Sequence, residues 1–202
     1  MTRTFTCATA TALTAGVAPD GSYYYPVFPY ASYTRMTDQD ISDLWAYMQT
    51  VPAVSNEAKG DDIPFPFGFR PLLAGWQTLF LEPGPFEPDP EQSAAWNRGA
   101  YLVTGPSHCG ECHTPRNFLG GPERDRALAG STAGPGGEKV PGITPDSKGF
   151  SEWSRGDLVF GLQFGLMPDG DSFSGSMGEV VRDGTSHFTK DDLNAIAEYL
   201  IE

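Results

Sequence analysis

The chain holds few of the side chains that bind metals, with three cysteines and three histidines among its 202 residues. They are Cys7, Cys109, Cys112, His108, His113 and His187. A structural zinc site takes four cysteine or histidine ligands, and the sequence has neither a second CxxC nor a His-x-His cluster. A zinc ion held by the one cysteine pair and its adjoining histidine would need His108, His187 or a carboxylate as its fourth ligand.

Long apolar runs are also missing. No stretch of about 18 or more apolar residues occurs, so we expect no transmembrane helix. Residues 1–15 carry one positive charge and many small side chains but little leucine, isoleucine or valine. This composition does not predict a signal peptide.

Basic residues are outnumbered, at 13 against 26 acidic ones, and the formal net charge is -13. Such a surface repels phosphate groups, which argues against nucleic acid as a partner. It favours either simple solubility or attraction to a basic patch on another protein. Glycine and proline are frequent, with 24 and 18 residues. They predict a loop-rich fold in which a prosthetic group supplies much of the core. The length of 202 residues allows one medium domain or two small ones.

The most informative motif is Cys109-Gly110-Glu111-Cys112-His113. Two thiols three positions apart, followed directly by an imidazole, match the attachment signature of c-type haem. Each thiol can form a thioether to one vinyl group, and His113 can then bind the iron from one side. Covalent attachment of haem implies export to the bacterial periplasm.

A thioredoxin-like dithiol is the other alternative to zinc. That motif follows a strand and opens a helix within a βαβ unit, whereas residues 93–103 predict a helix that leads into the cysteines. Haem therefore remains the favoured interpretation of the motif.

The iron would have a second axial position to fill. Two methionines lie downstream at a suitable distance, Met167 and Met177. Met177 is flanked by small residues in a segment that reads as a loop, which would let the chain close on the porphyrin face. A methionine ligand gives an electron-transfer centre, whereas an open position would suit an enzyme that acts on peroxide or thiosulfate.

Two predicted helices have matching sequences. The segments Thr37–Met48 and Thr189–Leu200 share a threonine cap, an acidic first turn, an apolar face and one tyrosine, which suggests two copies of one module. No CxxCH and no histidine precedes residue 108. We therefore interpret residues 1–50 as the C-terminal half of a haem domain, 51–93 as a connector rich in proline and phenylalanine, and 94–202 as a complete domain.

Further helices are expected at residues 71–80, inside the connector, and at the C-terminus of the chain. Gly99 and Tyr101 in the helix before the motif, with Tyr199 in the last helix, predict a close helix crossing. Cys7 has no evident partner and is expected to be a free thiol or part of an unstructured start.

Several segments resemble the multihaem cytochrome c subunits of membrane-associated alcohol and aldehyde dehydrogenases, and the related cytochrome subunits of molybdenum hydroxylases. They are Trp96–Val103, Cys109–Asn117, Ile143–Asp146, Trp153-Ser154 and Met177–Val181. The resemblance extends over Gly16–Tyr47 and the connector. It implies a mainly α, class I cytochrome c-like domain whose distal iron ligand is Met177.

The same resemblance makes Gly16–Tyr47 the end of a preceding haem domain, in which Met36 would be the ligand or close to it. The family's preceding domain has its own CxxCH, which this sequence lacks. The chain is therefore expected to be N-terminally truncated relative to that family and to bind one covalent haem c.

The resemblance implies an electron carrier rather than an enzyme. It would accept single electrons from a periplasmic dehydrogenase subunit and pass them to the respiratory chain, with peripheral membrane association through its partners. Arg116 and Trp153 are candidate hydrogen-bond donors to the two haem propionates, and Trp153 has core packing as its alternative role.

Overall fold

The computed structural model describes residues 7–56, 59–60, 62–64, 68–148 and 150–201. Over these ranges the chain is mainly helical, and its β-pairing is limited to isolated bridges. The helices are α1 (Cys7–Ala15), α2 (Tyr30–Tyr33), α3 (Asp38–Met48), α4 (Leu72–Phe80), α5 (Ala94–Thr104), α6 (Gly110–His113), α7 (Arg155–Phe164), α8 (Gly175–Asp183) and α9 (Lys190–Ile201). Short 3-10 turns occupy Arg124–Arg126, Pro135–Gly137 and Thr185–His187. None of the described helices is long and apolar enough to cross a membrane.

The chain divides into two compact units, Met1–Phe86 and Glu87–Glu202. The first unit contains α1 to α4, and the second contains α5 to α9. Cys7 begins α1, so the alternative that it belongs to an unstructured start is wrong. Its side chain lies outside the described ones, so the expected free thiol stays a prediction.

The predicted helices form close to their expected positions because their ends carry the expected caps. The Thr37 hydroxyl accepts a hydrogen bond from the Asp40 N–H at 3.1 Å, and Thr189 does the same for Asp192 at 3.1 Å. Ser93 caps α5 through the Trp96 N–H at 2.9 Å. Each cap satisfies one backbone donor that a helix start leaves without an intrahelical partner.

The core of the first unit is a small apolar cluster of Leu13, Met36 and Ile41, with Ala10, Phe28 and Tyr33 packed against it. Met36 is therefore a buried packing residue in this unit. Helix α4 belongs to the same unit, because the Gln77 side chain donates to the Ala15 carbonyl at 2.9 Å and the Trp76 ring meets Tyr30 edge to face at 6.3 Å.

The second unit is built on the crossing of α5 and α9, as predicted. A Cβ atom at Gly99 would collide with the Ala195 carbonyl and would lie 2.8 Å from the Tyr199 Cβ. The Trp96 ring packs edge to face on Tyr199 with 5.0 Å between centroids. Glycine at this point lets the two backbones approach, and both helices bury their facing side chains.

A tight turn occurs in both units and was not recognised in the sequence. The segments Gly16–Tyr24 and Gly165–Phe173 share the pattern Gly-x-x-Pro-Asp-Gly. In each, the leading glycine ends a helix with a positive φ, 62° and 75° respectively. Corresponding N–H groups donate to corresponding carbonyls, namely Ala18 to Ser22 and Met167 to Asp171, both at 2.8 Å.

This turn extends the internal repeat. In the first unit the order is α1, the turn, α2 and α3, and in the second unit it is α7, the turn, α8 and α9. The four-residue α2 stands where the second unit has the longer α8. The repeat therefore covers more of the chain than the two capped helices alone indicated.

Candidate functional site

The attachment motif lies directly after α5, which fixes its position on the second unit. Helix α5 ends at Thr104, and the Cys109 N–H donates back to the Val103 carbonyl at 3.1 Å. The motif then forms the single turn α6, in which the His113 N–H donates to the Cys109 carbonyl at 3.0 Å. Residues three or four apart on a helical turn lie on one face, so Cys109 shares a face with both Cys112 and His113.

His113 is held in one orientation by a loop. Its Nδ1 atom lies 2.8 Å from the Pro141 carbonyl oxygen. Because a carbonyl oxygen only accepts hydrogen bonds, Nδ1 must carry the proton and donate it. The Nε2 atom of the neutral ring then keeps its lone pair for a metal. Burial lowers the pKa of His113, against the opposing effect of the Pro141 hydrogen bond.

The loop that carries Pro141 is fixed by backbone bonds around the motif. The Gly130 N–H donates to the His113 carbonyl at 2.7 Å, and the Leu128 N–H donates to the buried Thr114 hydroxyl at 3.0 Å. A bridge between Ser131 and Val140 closes the loop just before Pro141. The role of Pro141 was not predictable from the sequence, because any residue at this position would offer a backbone carbonyl.

The two thiols are poor nucleophiles in this setting. Burial raises the pKa of Cys109 to about 12. Burial and the nearby Glu111 carboxylate also raise the pKa of Cys112. A redox dithiol depends on a lowered thiol pKa, so this environment disfavours the dithiol alternative. The described residues also contain no group of three or more histidine, cysteine, aspartate or glutamate side chains able to hold a metal ion.

Arg116 lies beside the motif and contacts its middle. Its guanidinium forms an ion pair with Glu111 and donates to the Gly120 carbonyl at 2.9 Å. Glu111 is the residue between the two cysteines, so the pair connects the attachment turn to the loop after it. The suggested contact between Arg116 and a propionate stays a prediction.

Trp153 is partly buried within a row of three rings. It stacks on Phe150 at 6.0 Å and on Phe173 at 6.1 Å, with interplanar angles of 22° and 15°. These ring contacts agree with the alternative role of Trp153, which is packing in the core. Its proposed hydrogen bond to a propionate also stays a prediction.

Met177 lies on a helix, not in the loop that its glycine-rich surroundings predicted. Ser174 is extended and Gly175 has a φ of 55°, and from there α8 continues to Asp183. Small residues are compatible with the short helix here, and Val181 anchors it in the core. Met167 occupies the tight turn described above, and both methionine side chains are partly buried.

The loop that holds His113 also contacts the start of α8. A Cβ atom at Gly175 would lie 2.7 Å from a carboxylate oxygen of Glu138. Glu138 precedes Pro141 by three residues, a span of at most about 10 Å of extended chain. One short loop therefore contacts both the His113 ring and the helix that carries Met177.

A helical domain that presents two adjacent thiols and an oriented imidazole on one turn is consistent with the cytochrome c fold. Comparison with known proteins points to the same class. No protein family model matches the chain.

Three curated relatives are similar over nearly the whole sequence. A "Diheme cytochrome c-type" protein of Cereibacter sphaeroides is 42% identical over 194 residues, which cover 94% of this chain and 62% of the relative. A nicotinate dehydrogenase subunit of Pseudomonas putida is 40% identical over 190 residues, covering 94% and 16%. The cytochrome c subunit of "Alcohol dehydrogenase (quinone)" from Gluconacetobacter polyoxogenes is 40% identical over 193 residues, covering 92% and 41%.

The resemblance stated from the sequence is therefore confirmed, since the chain is a relative of cytochrome c subunits of dehydrogenases. The chain spans less than two thirds of the length of each of these three relatives.

Proposed function

We propose that this chain relays single electrons from a dehydrogenase to the respiratory chain through one covalently bound haem c. The haem would lie in a class I cytochrome c-like domain of residues 94–202. The observation that carries the proposal is the 2.8 Å contact between His113 Nδ1 and the Pro141 carbonyl, on the turn that holds both cysteines.

The residues of this turn fit haem c. Cys109 and Cys112 would hold it through thioethers, and His113 Nε2 would bind its iron. Burial raises the pKa of both thiols and lowers the pKa of His113, which favours protonated thiols and a neutral imidazole. The neutral ring donates from Nδ1 to the Pro141 carbonyl and leaves Nε2 unprotonated. When bound, haem c supplies an iron that changes its oxidation state by one electron.

Met177 is proposed as the second axial ligand. The support is the loop of residues 131–141, which contacts both His113 and the first turn of α8. A methionine ligand here would raise the reduction potential of a bound haem and exclude other ligands, which would suit electron transfer better than peroxide or thiosulfate chemistry.

The proposed electron donor is a dehydrogenase subunit, because the names of the relatives place them in dehydrogenases. The downstream acceptor would be another haem, a quinone-linked carrier or a terminal oxidase. Covalent haem attachment favours the bacterial periplasm, with any membrane association made through partners.

The first unit is proposed to be the C-terminal half of a second haem module. The shared turn, the shared threonine cap and the matching order of helices support this interpretation. Within this chain the unit has no CxxCH of its own, and Met36 is buried in its core.

Haem attachment tests the proposal directly. The chain is expressed with the cytochrome maturation machinery, and the intact mass of the purified protein is measured. One covalently attached haem is expected, and Cys109→Ala with Cys112→Ala should yield the bare polypeptide. Colourless wild-type protein with the mass of the polypeptide alone would contradict the proposal.

The distal ligand is tested by paired substitutions. The oxidised protein should show the weak near-infrared band of methionine ligation. Met177→Ala should abolish that band, whereas Met167→Ala should leave it unchanged. Loss of the band in Met167→Ala alone would transfer the ligand role to Met167, and absence of the band in the wild type would favour the open-site enzyme.

A further inference from the structure

We propose that Glu138 is a positioning residue for the helix that carries Met177. Its carboxylate supplies a negative charge at the start of α8, and the loop of residues 131–141 holds that carboxylate in place. The contact stabilises the arrangement in which Met177 binds the iron of a bound haem. This inference rests on the proposed function, in which Met177 is the second axial ligand.

Helix α8 begins without the features that start the other long helices of its unit. Ser93 caps α5, Ser154 caps α7 and Thr189 caps α9, each through its side chain. In the described structure the Ser174 side chain makes no such hydrogen bond, and the first turn of α8 has no acidic residue. A helix N-terminus carries unsatisfied N–H groups and a partial positive charge. A carboxylate from another segment would therefore stabilise α8.

The Glu138 side chain lies against the first residue of α8. A Cβ atom built on Gly175 would lie 2.7 Å from one carboxylate oxygen of Glu138 and 3.2 Å from the other. Gly175 also has a φ of 55°, a backbone conformation that residues with side chains disfavour. Both observations favour glycine here, because only glycine leaves open the space that the carboxylate occupies.

Short-range hydrogen bonds fix the segment that presents Glu138. The Gly134 N–H donates to the Glu138 carbonyl at 2.8 Å, and the Glu138 N–H donates to the Pro135 carbonyl at 3.2 Å. Ser131 and Val140 exchange two backbone hydrogen bonds, at 2.9 and 2.8 Å. A backbone held in this way loses little further conformational entropy when its side chain contacts α8.

Charge, and not apolar packing, is the interaction that this contact supplies. Glu138 and Gly175 are both exposed, and a carboxylate and a glycine bury little apolar surface between them. An exposed carboxylate beside a helix N-terminus stabilises the helix by a modest amount that salt screens. We therefore expect Glu138 to act on the proposed iron ligand most strongly at low ionic strength.

Imidazole serves as the probe, because it binds iron in competition with the methionine. It is titrated into the full-length, haem-loaded protein at low ionic strength, and the absorption spectrum is followed. The apparent affinity for imidazole rises with the fraction of molecules in which Met177 is detached. Glu138→Gln and Glu138→Ala should therefore tighten imidazole binding by about two- to fivefold. Without imidazole, both variants should keep the near-infrared band of methionine ligation.

Two controls separate the local charge from other effects. Glu152→Gln removes the same charge from an exposed position outside both the loop and α8, and it should leave the imidazole affinity unchanged. At about 1 M salt the screening length falls to about 3 Å, so the difference between the wild type and Glu138→Gln should disappear. A purely structural role of Glu138 would lower the free energy of unfolding without changing the imidazole affinity.

Gly175→Ala tests the contact from its other side. The added methyl group would lie where the Glu138 carboxylate now lies, so this change should also tighten imidazole binding. In the Glu138→Ala background the methyl group meets no carboxylate, and the same change should have a smaller effect. Equal effects of Gly175→Ala in both backgrounds would overturn the inference, because backbone strain at Gly175 would then account for them.

Unchanged imidazole affinity in both Glu138 variants would also overturn the inference, as would a tightening that Glu152→Gln reproduces or that persists at high salt. Haem content and the near-infrared band of Met177→Ala are measured alongside. A wild-type protein without haem refutes the proposed function, and a band that survives Met177→Ala refutes the ligand assignment and this inference together. Bound haem, a band that depends on Met177 and no response to the Glu138 substitutions refute this inference alone.

Discussion

Helices α3 and α9 have the same cap and the same apolar positions, yet only α9 is buried along its whole face. At the first apolar position the two agree, since Ile41 and Leu193 are both buried. One turn later they diverge. The difference is the neighbouring helix, because α5 crosses α9 at Gly99.

The comparison shows that an amphipathic pattern specifies a face but not its partner. The pattern of α3 would suit the same burial as α9, because hydrophobic burial is non-directional. Whether a side chain is buried depends on what packs against it. The three predictions below test that dependence, from the largest expected effect to the smallest.

Gly99→Ala should destabilise the second unit most, by about 3 kcal/mol or more, because the added methyl group collides with the Ala195 backbone and forces α5 away from α9. Its control is Gly75→Ala in α4, where nothing lies within 4 Å of the added Cβ. That change should stabilise the protein by about 0.5–1 kcal/mol. Denaturant unfolding measures the free energy of unfolding of both variants. Equal changes in that free energy for Gly99→Ala and Gly75→Ala would refute the close crossing.

The equivalent positions on the two helices should respond unequally to truncation. Ile196→Ala removes a fully buried side chain and should cost about 2–4 kcal/mol. Leu44→Ala removes a side chain that is already exposed and should cost less than about 1 kcal/mol. The two unfolding free energies are compared in the same haem-loaded protein. A large loss in Leu44→Ala would mean that the Leu44 side chain is covered in solution.

The smallest effect concerns the ion pair between Arg98 and Asp192. The hydrogen bond from Arg98 lowers the pKa of Asp192 below its usual 3.8. The pair therefore stabilises the fold above pH 3.8, and this contribution is lost as the pH falls through the lowered pKa. Arg98→Met should cost about 0.2–1 kcal/mol near neutral pH, since the pair is partly exposed.

The measurement for this variant is unfolding free energy against pH for the wild type and Arg98→Met. Their curves should converge below pH 3.8. Curves that stay separated by the same amount at low pH would mean that the apolar stem of Arg98 matters, not its charge.

Much of the fold was predictable because its signals are local. Threonine and serine caps, followed by apolar residues at helical spacing, predicted α3, α5 and α9. The repeated Pro-Asp-Gly turn was equally visible in the sequence but was not recognised. The helix that carries Met177 was predicted wrongly as a loop, because its glycine and serine residues favour irregular structure when considered alone.

The candidate site was also predictable where its residues are close together in the sequence. Cys109, Cys112 and His113 are adjacent in the chain, so their chemistry can be read without knowing the fold. Pro141 could not be found in this way, because it contributes a backbone carbonyl from 28 residues away. Arg116 was noticed, but its ion pair with Glu111 depends on how the chain turns after the motif.

The sequence by itself determined the CxxCH motif of Cys109–His113, the positions of the capped helices and the close crossing at Gly99. These features depend on residues that are neighbours in the chain or on side-chain size at one position. Only the tertiary structure decided the tautomer of His113, the surroundings of Met177 and the contrast between the buried face of α9 and the exposed face of α3. Those depend on which distant segments meet, and packing between segments far apart in the chain is not encoded at any single position.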